Sequence, residues 1–370
     1  MVKNVCFITT VDHNIGDDFV REGIVYLIDN CFRDVKTSNI HKHSPLTVVN
    51  GMESVRNLRI SKLIEPLTRI IGLGDKIDDA DVLIQSGAPV YWCHVNGPHC
   101  ADNEWYVPLI TNRFQKKNDK VPFLNIAGGS CQRYHSDGSE VISCHKCKEY
   151  IAEFYDACDL TILRDDLAKK MLNLAGRDAD VLPCTSIFAR DRFQLKPKAG
   201  EYIVVNFMEN GGHYTFGQQI DSAKWRSNFK YLVSKLRMIG RVVASCHNPQ
   251  EEDLIRSVCP EVDTYLVPND YLEFMDFYSK ARFGVVNRVH AGFMMASFGK
   301  PVAVIGNDSR ALMIENLGLK SYYVDNVYDE LIDEIIEDVL LQEKKYFDMV
   351  EQIRYSAKES YLEKISAALD

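Results

Sequence analysis

Short apolar runs that end in polar or glycine turns recur along the chain, and between them apolar residues return at helical spacing. Residues 2–9 predict a first strand, 11–18 a polar loop, and Phe19, Val20, Ile24, Tyr26, Leu27 and Ile28 the inner face of a helix. Gly16 lets the backbone come close at this turn, with Asp17 or Asp18 as helix cap or first-turn acid. A short strand is expected over 45–50 and a helix over 52–71, interrupted near Pro66. Two buried strands with glycine turns follow, 80–89 (ADVLIQSGAP) and 121–130 (VPFLNIAGGS), with a helix over 104–116 between them. A strand over 160–163, a helix over 165–174 and a strand over 179–182 complete the first series.

Residues 190–200, RDRFQLKPKAG, break the pattern with clustered basic residues, Pro197, Gly200 and no periodic apolar face. They mark the expected domain boundary. A second series begins with a strand over 202–207 and the turn NGGH, 210–213. A helix over 219–239, a strand over 241–248, a helix over 250–258, a strand over 263–267 and a helix over 270–280 continue it. Residues 282–317 then read as strand, helix, the turn Gly299, Lys300, Pro301, and strand. The acidic stretch 326–368 predicts two helices. Alternating strands and helices indicate an α/β fold with largely parallel sheets. The expected division is 1–192, 200–345 and a terminal helix, 346–370, packing back across the cleft.

Composition narrows the class. Of 370 residues, 46% are hydrophobic and 26% charged, as in an ordinary globular protein. The formal net charge of −9 and scattered Lys and Arg residues argue against a nucleic-acid surface. No apolar run is long enough for a membrane span, and the amino terminus turns polar too early for a secretory signal. A cytoplasmic location is expected, with peripheral membrane association and oligomerisation left open. The eleven Cys residues are odd in number and dispersed, unlike a disulfide scaffold, and Cys6, Cys31, Cys158 and Cys246 lie in apolar stretches that suit a core.

In an open parallel sheet, ligands bind beyond the carboxyl ends of the strands, where Arg288 and His290 fall. Arg164 and Asp165 end another strand, where they could reach the cleft or pair with each other, pairing being the leading reading. Cys144 and Cys147 have CxxC spacing, with Cys131, His135 and His145 near in sequence, while Cys93, His94, His99 and Cys100 form another small cluster. A structural site at Cys131, Cys144 and Cys147 is the minor reading against a polar insertion with incidental thiols, so no metal is expected. The glycine turns form no GxGxxG fingerprint, and no redox cofactor is expected.

Several segments together carry a resemblance: NIGDD (14–18), IQSGAP (84–89), ILRDDLAKKML (162–172), CHNPQEED (246–253) and above all NRVHAGFMMASFGKPVAVIGND (287–308). The chain resembles the polysaccharide pyruvyl transferase family from about residue 10 to 320. The resemblance implies two facing Rossmann-like domains, similar to the B-type glycosyltransferase fold. It also implies transfer of the enolpyruvyl part of phosphoenolpyruvate to two hydroxyls of a free or lipid-linked saccharide, giving a pyruvate ketal and phosphate. The donor-binding Arg and His of the family fall on Arg288 and His290. Two positions depart from the family pattern: Asn206 stands where many members have Arg, and Cys184 where many have an acid.

The chemistry assigns roles to these positions. Arg288 suits carboxylate or phosphate through paired hydrogen bonds, with Arg310 as a second candidate. His290 can donate to phosphate or protonate the methylene carbon, and Asp17 can accept the proton of the sugar hydroxyl. Asn14, Gly16, Asp18, His247, Asn248, Glu251 and Asn287 are the further candidates for holding substrate. A nucleotide-sugar glycosyltransferase and a non-catalytic saccharide-binding protein are the competing functions.

Overall fold

The computed structural model describes residues 3–11, 14–52, 74–94, 97–117, 121–209, 220–341 and 345–369. The expected helix over 52–71 and the turn at 210–213 lie outside the described residues. Two sheets, parallel throughout, organise the chain. The first contains β1 (Lys3–Thr9), β2 (Val35–His41), β3 (Val82–Ser86), β4 (Pro89–Tyr91), β5 (Phe123–Ser130), β6 (Leu160–Leu163) and β7 (Asp180–Val181). Its order is β2-β1-β3-β5-β6-β7, with β4 pairing beside β5. The second contains β8 (Tyr202–Val205), β9 (Val242–Ser245), β10 (Asp263–Tyr265), β11 (Ala281–Val286), β12 (Val302–Gly306) and β13 (Ser321–Tyr323), in the order β10-β9-β8-β11-β12-β13.

Helices cover both faces of each sheet, so the central strands are apolar almost throughout and all of β3, β5, β8 and β12 is buried. In each sheet the winding reverses once, between β1 and β3 in the first and between β8 and β11 in the second. Such reversals open a crevice at the strands' carboxyl ends. The two halves meet beyond the carboxyl ends of β5 and β12, where Gln132 and Ser309 exchange hydrogen bonds of 2.9 and 3.0 Å, and Tyr134 Oη also bonds Ser321 Oγ of β13 at 2.7 Å. This is the facing, Rossmann-like two-domain arrangement similar to the B-type glycosyltransferase fold.

Several local expectations need correction. Residues 45–50 form no strand; Pro45–Val48 is a single helical turn closed by Thr47 N to Ser44 O at 2.9 Å. Its apolar look comes from Leu46, Val48 and Val49, which are buried beneath the first sheet. The edge is taken instead by β2, VKTSNIH, in which only Ile40 and His41 are buried, so no apolar run marks it. The helix expected over 104–116 is a widened, π-type turn over Tyr106–Phe114, consistent with Pro108, which has no N–H to give to a regular helix. The stretch 135–147 is partly helical, with turns over Ser139–Ser143 and a helix at His145–Asp156.

The last helix, Lys345–Leu369, packs on the helix Ile15–Cys31 of the first half: Lys358 Nζ donates to Tyr26 Oη at 2.9 Å, and Tyr361 Oη to Pro183 O at 3.1 Å. Among the described residues no helix is long and apolar enough to cross a membrane.

Candidate functional site

On the second sheet, the site is built by an amide network at the ends of β8, β11 and β12. Asn206 Oδ1 accepts the backbone N–H of Asn287 and of Arg288, each at 2.9 Å. Asn287 accepts from Met208 N at 2.8 Å and donates to Asn307 Oδ1 at 2.6 Å. The residue that departs from the family pattern therefore fixes the loop carrying Arg288. Arg288 Nε donates to Glu251 at 3.0 Å, and Nη2 reaches the same carboxylate. Glu251 also accepts from His247 N at 2.9 Å and Asn248 Nδ2 at 2.8 Å. Burial opposes its ionisation, but Arg288 outweighs burial and holds the carboxyl below its usual range. Asn248 caps the helix Pro249–Val258, accepting Glu251 N, so Asn248 and Glu251 position Arg288 and His247 and do not line the cleft.

On the first sheet, Asn14 caps the helix Ile15–Cys31, its side chain accepting Gly16 N at 3.1 Å. Asp17 is buried behind this turn and accepts the Thr10 hydroxyl. Burial acts to raise its pKa, but Lys42, Thr10 and Arg164 together hold the carboxyl below its ordinary value. Asp18 belongs elsewhere. It pairs with Arg21 at 2.7 Å, in a cluster with Glu22, and burial pushes its carboxyl up to about 7 despite that partner. The expectation that Asp18 faces the cleft is corrected: on the helix its side chain leaves the face that Asp17 shows to His290.

The two halves meet at His290. A Cβ on Gly16 would lie 2.5 Å from its Nδ1, so only glycine leaves room for the ring. Arg164 Nη1 donates to His290 Nε2 at 3.4 Å, which leaves the ring proton on Nδ1. Burial and the Arg164 charge push His290 down to about 3 against the pull of Asp17, so the ring is neutral at pH 7. His247, whose Nε2 meets Tyr278 Oη at 3.1 Å, is likewise pushed down to about 3 by burial and Arg288.

Arg164 is the residue that sequence reasoning set aside, because Asp165 follows it. Asp165 is otherwise engaged: it accepts from Ser130 N at 2.8 Å, Ser130 Oγ at 2.6 Å and Ala168 N at 2.7 Å. The Arg164 guanidinium is fully buried, and its Nε and Nη2 have no hydrogen-bond partner among the described residues. Beside it, Nη1 lies 4.0 Å from the thiol of Cys184, so the second departure from the family pattern puts a thiol where many members have an acid. The available signal was position: Arg164 immediately follows β6, at the edge where ligands bind.

A small cleft of about 40 Å³ opens between the halves, lined by Asn14, Gly16, His247, Asn287, Arg288, His290 and Arg310 with their neighbours. Arg310 pairs with Asp308, which accepts its Nε at 2.9 Å; this partner outweighs the cost of burial and keeps Arg310 cationic. The arrangement can bind a small polyanion and shelter a proton transfer at His290.

The candidate cysteine trio is not assembled. Cys131 is buried within the field of Arg310 and Asp308, and burial pushes its thiol up to about 12. Cys144 and Cys147 instead converge with Cys93 and His99.

Solved structures share this fold at low sequence identity. S. aureus MnaA with UDP aligns with a TM-score of 0.54 and 15% identity, over 94% of this chain and 91% of that one. A putative UDP-N-acetylglucosamine 2-epimerase from Listeria monocytogenes gives 0.53 and 13%, over 95% and 91%. The UDP-N-acetylglucosamine 2-epimerase from Rickettsia bellii gives 0.51 and 12%, over 99% and 98%. At such identities the likeness establishes the fold alone. No curated protein sequence matches the chain significantly. The model of the polysaccharide pyruvyl transferases matches residues 14–309, from the Asn14 cap to the residue before Arg310 and across both Arg288 and His290; the chain belongs to the polysaccharide pyruvyl transferase family.

Proposed function

We propose that this enzyme transfers the pyruvyl group of phosphoenolpyruvate to a saccharide, forming a pyruvate ketal and releasing phosphate. The observation that carries the reading is the buried Arg164 guanidinium behind His290, with two N–H-bearing nitrogens unsatisfied. A buried guanidinium with N–H groups left without acceptors is costly, and an anion at the cleft relieves that cost. Arg288 and Arg310 supply two further guanidinium groups for the donor carboxylate and phosphate.

In the reaction the methylene carbon gains a proton to become methyl, and one sugar oxygen bonds to the adjacent carbon. The carbon–oxygen bond to phosphate breaks, and a second sugar hydroxyl closes the ketal. The two hydroxyl protons end on the methyl group and the phosphate. Donor binding offsets the Arg164 charge that, after burial, holds His290 neutral, so the imidazole takes up a proton as the anion arrives and delivers it to the methylene carbon. Asp17, held ionised, stabilises the imidazolium and is the carboxylate we assign to take the proton of an acceptor hydroxyl. The acceptor is a free or lipid-linked saccharide.

A second reading, glycosyl transfer from a nucleotide sugar, has its support in the fold shared with the UDP-bound S. aureus structure. Calorimetric titration with phosphoenolpyruvate, UDP and UDP-glucose separates the two. Phosphoenolpyruvate binding that Arg288→Ala abolishes, with phosphate release on adding saccharide acceptors, is the expected result. Binding of the uridine compounds alone overturns it.

A further inference from the structure

A second constellation lies outside the cleft, where the first sheet carries an insertion. Cys93 lies two residues past β4, and an isolated antiparallel bridge pairs it with His99. Facing them, Cys144 caps the helix His145–Asp156 and accepts the N–H of Cys147 at 3.3 Å. The three thiols close on a single atom, His99 Nδ1, at 3.6 Å from Cys93, 3.6 Å from Cys144 and 3.7 Å from Cys147. All four ligand atoms lie within 4.8 Å of one another.

Hydrogen bonding does not account for this convergence. An imidazole nitrogen has one lone pair and satisfies one S–H donor; Trp92 O, 3.6 Å from Cys147 Sγ, can take a second, and one thiol is still left aimed at an acceptor already taken. Nor is a disulfide present: all of these cysteines are free. A cation accounts for it directly. Zinc bonds of about 2.3 Å to sulfur and about 2.0–2.1 Å to nitrogen, at tetrahedral angles, separate S and N by roughly 3.5 Å. The three observed separations are of that size.

We propose that Cys93, His99, Cys144 and Cys147 bind one zinc ion through three thiolates and His99 Nδ1. Four protein ligands close the coordination sphere, which makes the site structural and leaves no position for substrate. Cys147 N–H stabilises the Cys144 thiolate, as does the positive end of the helix that Cys144 caps. Cys100, buried next to Cys147, stays outside the set of four. The borderline-soft donor set favours zinc over magnesium or calcium, which prefer oxygen.

The ion joins two pieces of chain that are remote in sequence, 93–99 and 144–147. It also supports the cleft from behind. Cys93 O accepts Gln132 Nε2 at 2.8 Å, and the Gln132 backbone exchanges its two hydrogen bonds with Ser309, between Asp308 and Arg310. Zinc thus anchors the first half at the point where it grips the loop carrying a cleft arginine.

Metal analysis of the full-length protein, purified without chelator or added metal, tests the assignment independently of any reaction. One equivalent of zinc per chain is expected, falling by at least tenfold in Cys144→Ser and Cys147→Ser and unchanged in Cys259→Ser, a buried thiol of the second sheet's core. Should the variants fail to fold, cobalt exchange into the native protein decides: thiolate-to-cobalt charge transfer together with intense tetrahedral visible bands supports the site. Protein that neither carries zinc nor retains it after incubation with zinc salt and gel filtration overturns the proposal, as does cobalt without the thiolate band or iron in place of zinc.

Discussion

Gly16 and His290 come from opposite sheets and touch: a methyl group at position 16 would stand 2.5 Å from the imidazole Nδ1 and 3.0 Å from Cγ. The glycine of the first turn is a packing requirement of the histidine in the second half. Gly16→Ala is expected to cost about 1–3 kcal/mol of stability through overpacking. By turning the ring away from Arg164 it should lower turnover by on the order of a hundredfold. Denaturant unfolding and phosphate release measure the two effects; a folded variant with normal turnover contradicts the role given to this contact.

Arg164 supports the proposed donor site by remaining without a hydrogen-bonded carboxylate among the described residues. Arg164→Met should weaken phosphoenolpyruvate binding by roughly 10- to 100-fold. Cys184→Asp tests the same idea with the arginine in place, because the new carboxylate, at the position now 4.0 Å from Nη1, would neutralise it. Calorimetry should show weaker donor binding in both. Unaltered affinity in Cys184→Asp would count against Arg164 as an anion site.

The two buried histidines make stability depend on pH in a stated direction. His290 and His247 are pushed down to about 3 from an ordinary 6.5. Below pH 6.5 the unfolded chain binds protons that the folded chain refuses, so their contribution to stability is fully present above 6.5. It is lost as pH falls toward 3, at about 1.4 kcal/mol per pH unit for each histidine. Chemical unfolding at pH 7, 6 and 5 should show this slope, and His290→Asn should remove one proton from it. Phosphoenolpyruvate binding should in turn take up a proton, visible as a calorimetric enthalpy that varies with the ionisation enthalpy of the buffer.

Arg288 has a structural partner as well as a proposed ligand. Arg288→Ala leaves the buried Glu251 carboxylate uncompensated and should cost about 3–5 kcal/mol. Adding Glu251→Gln should restore most of that stability, while phosphoenolpyruvate binding stays lost. If the double variant binds the donor like the native protein, Arg288 serves only to hold Glu251.

Local pattern determined the alternation of strands and helices and the turn that carries Arg288 and His290. Those features follow from apolar periodicity and from residues that stop helices or cap them, which act within a few positions. The edge strand Val35–His41 was illegible because an edge exposes one side and shows no apolar run. The direction of Asp17 and Asp18 could not be read either, since adjacent helical residues point about 100° apart and the rest of the fold decides which faces the cleft. Only tertiary structure gave Asp165 to Ser130 and so left two nitrogens of Arg164 without a hydrogen-bond partner among the described residues. It likewise drew Cys93 and His99 to Cys144 and Cys147, 45 to 54 residues away, while leaving Cys131 aside. Pairing across such separations is chosen by how the sheets wind and meet, and spacing along one stretch of chain carries no record of it.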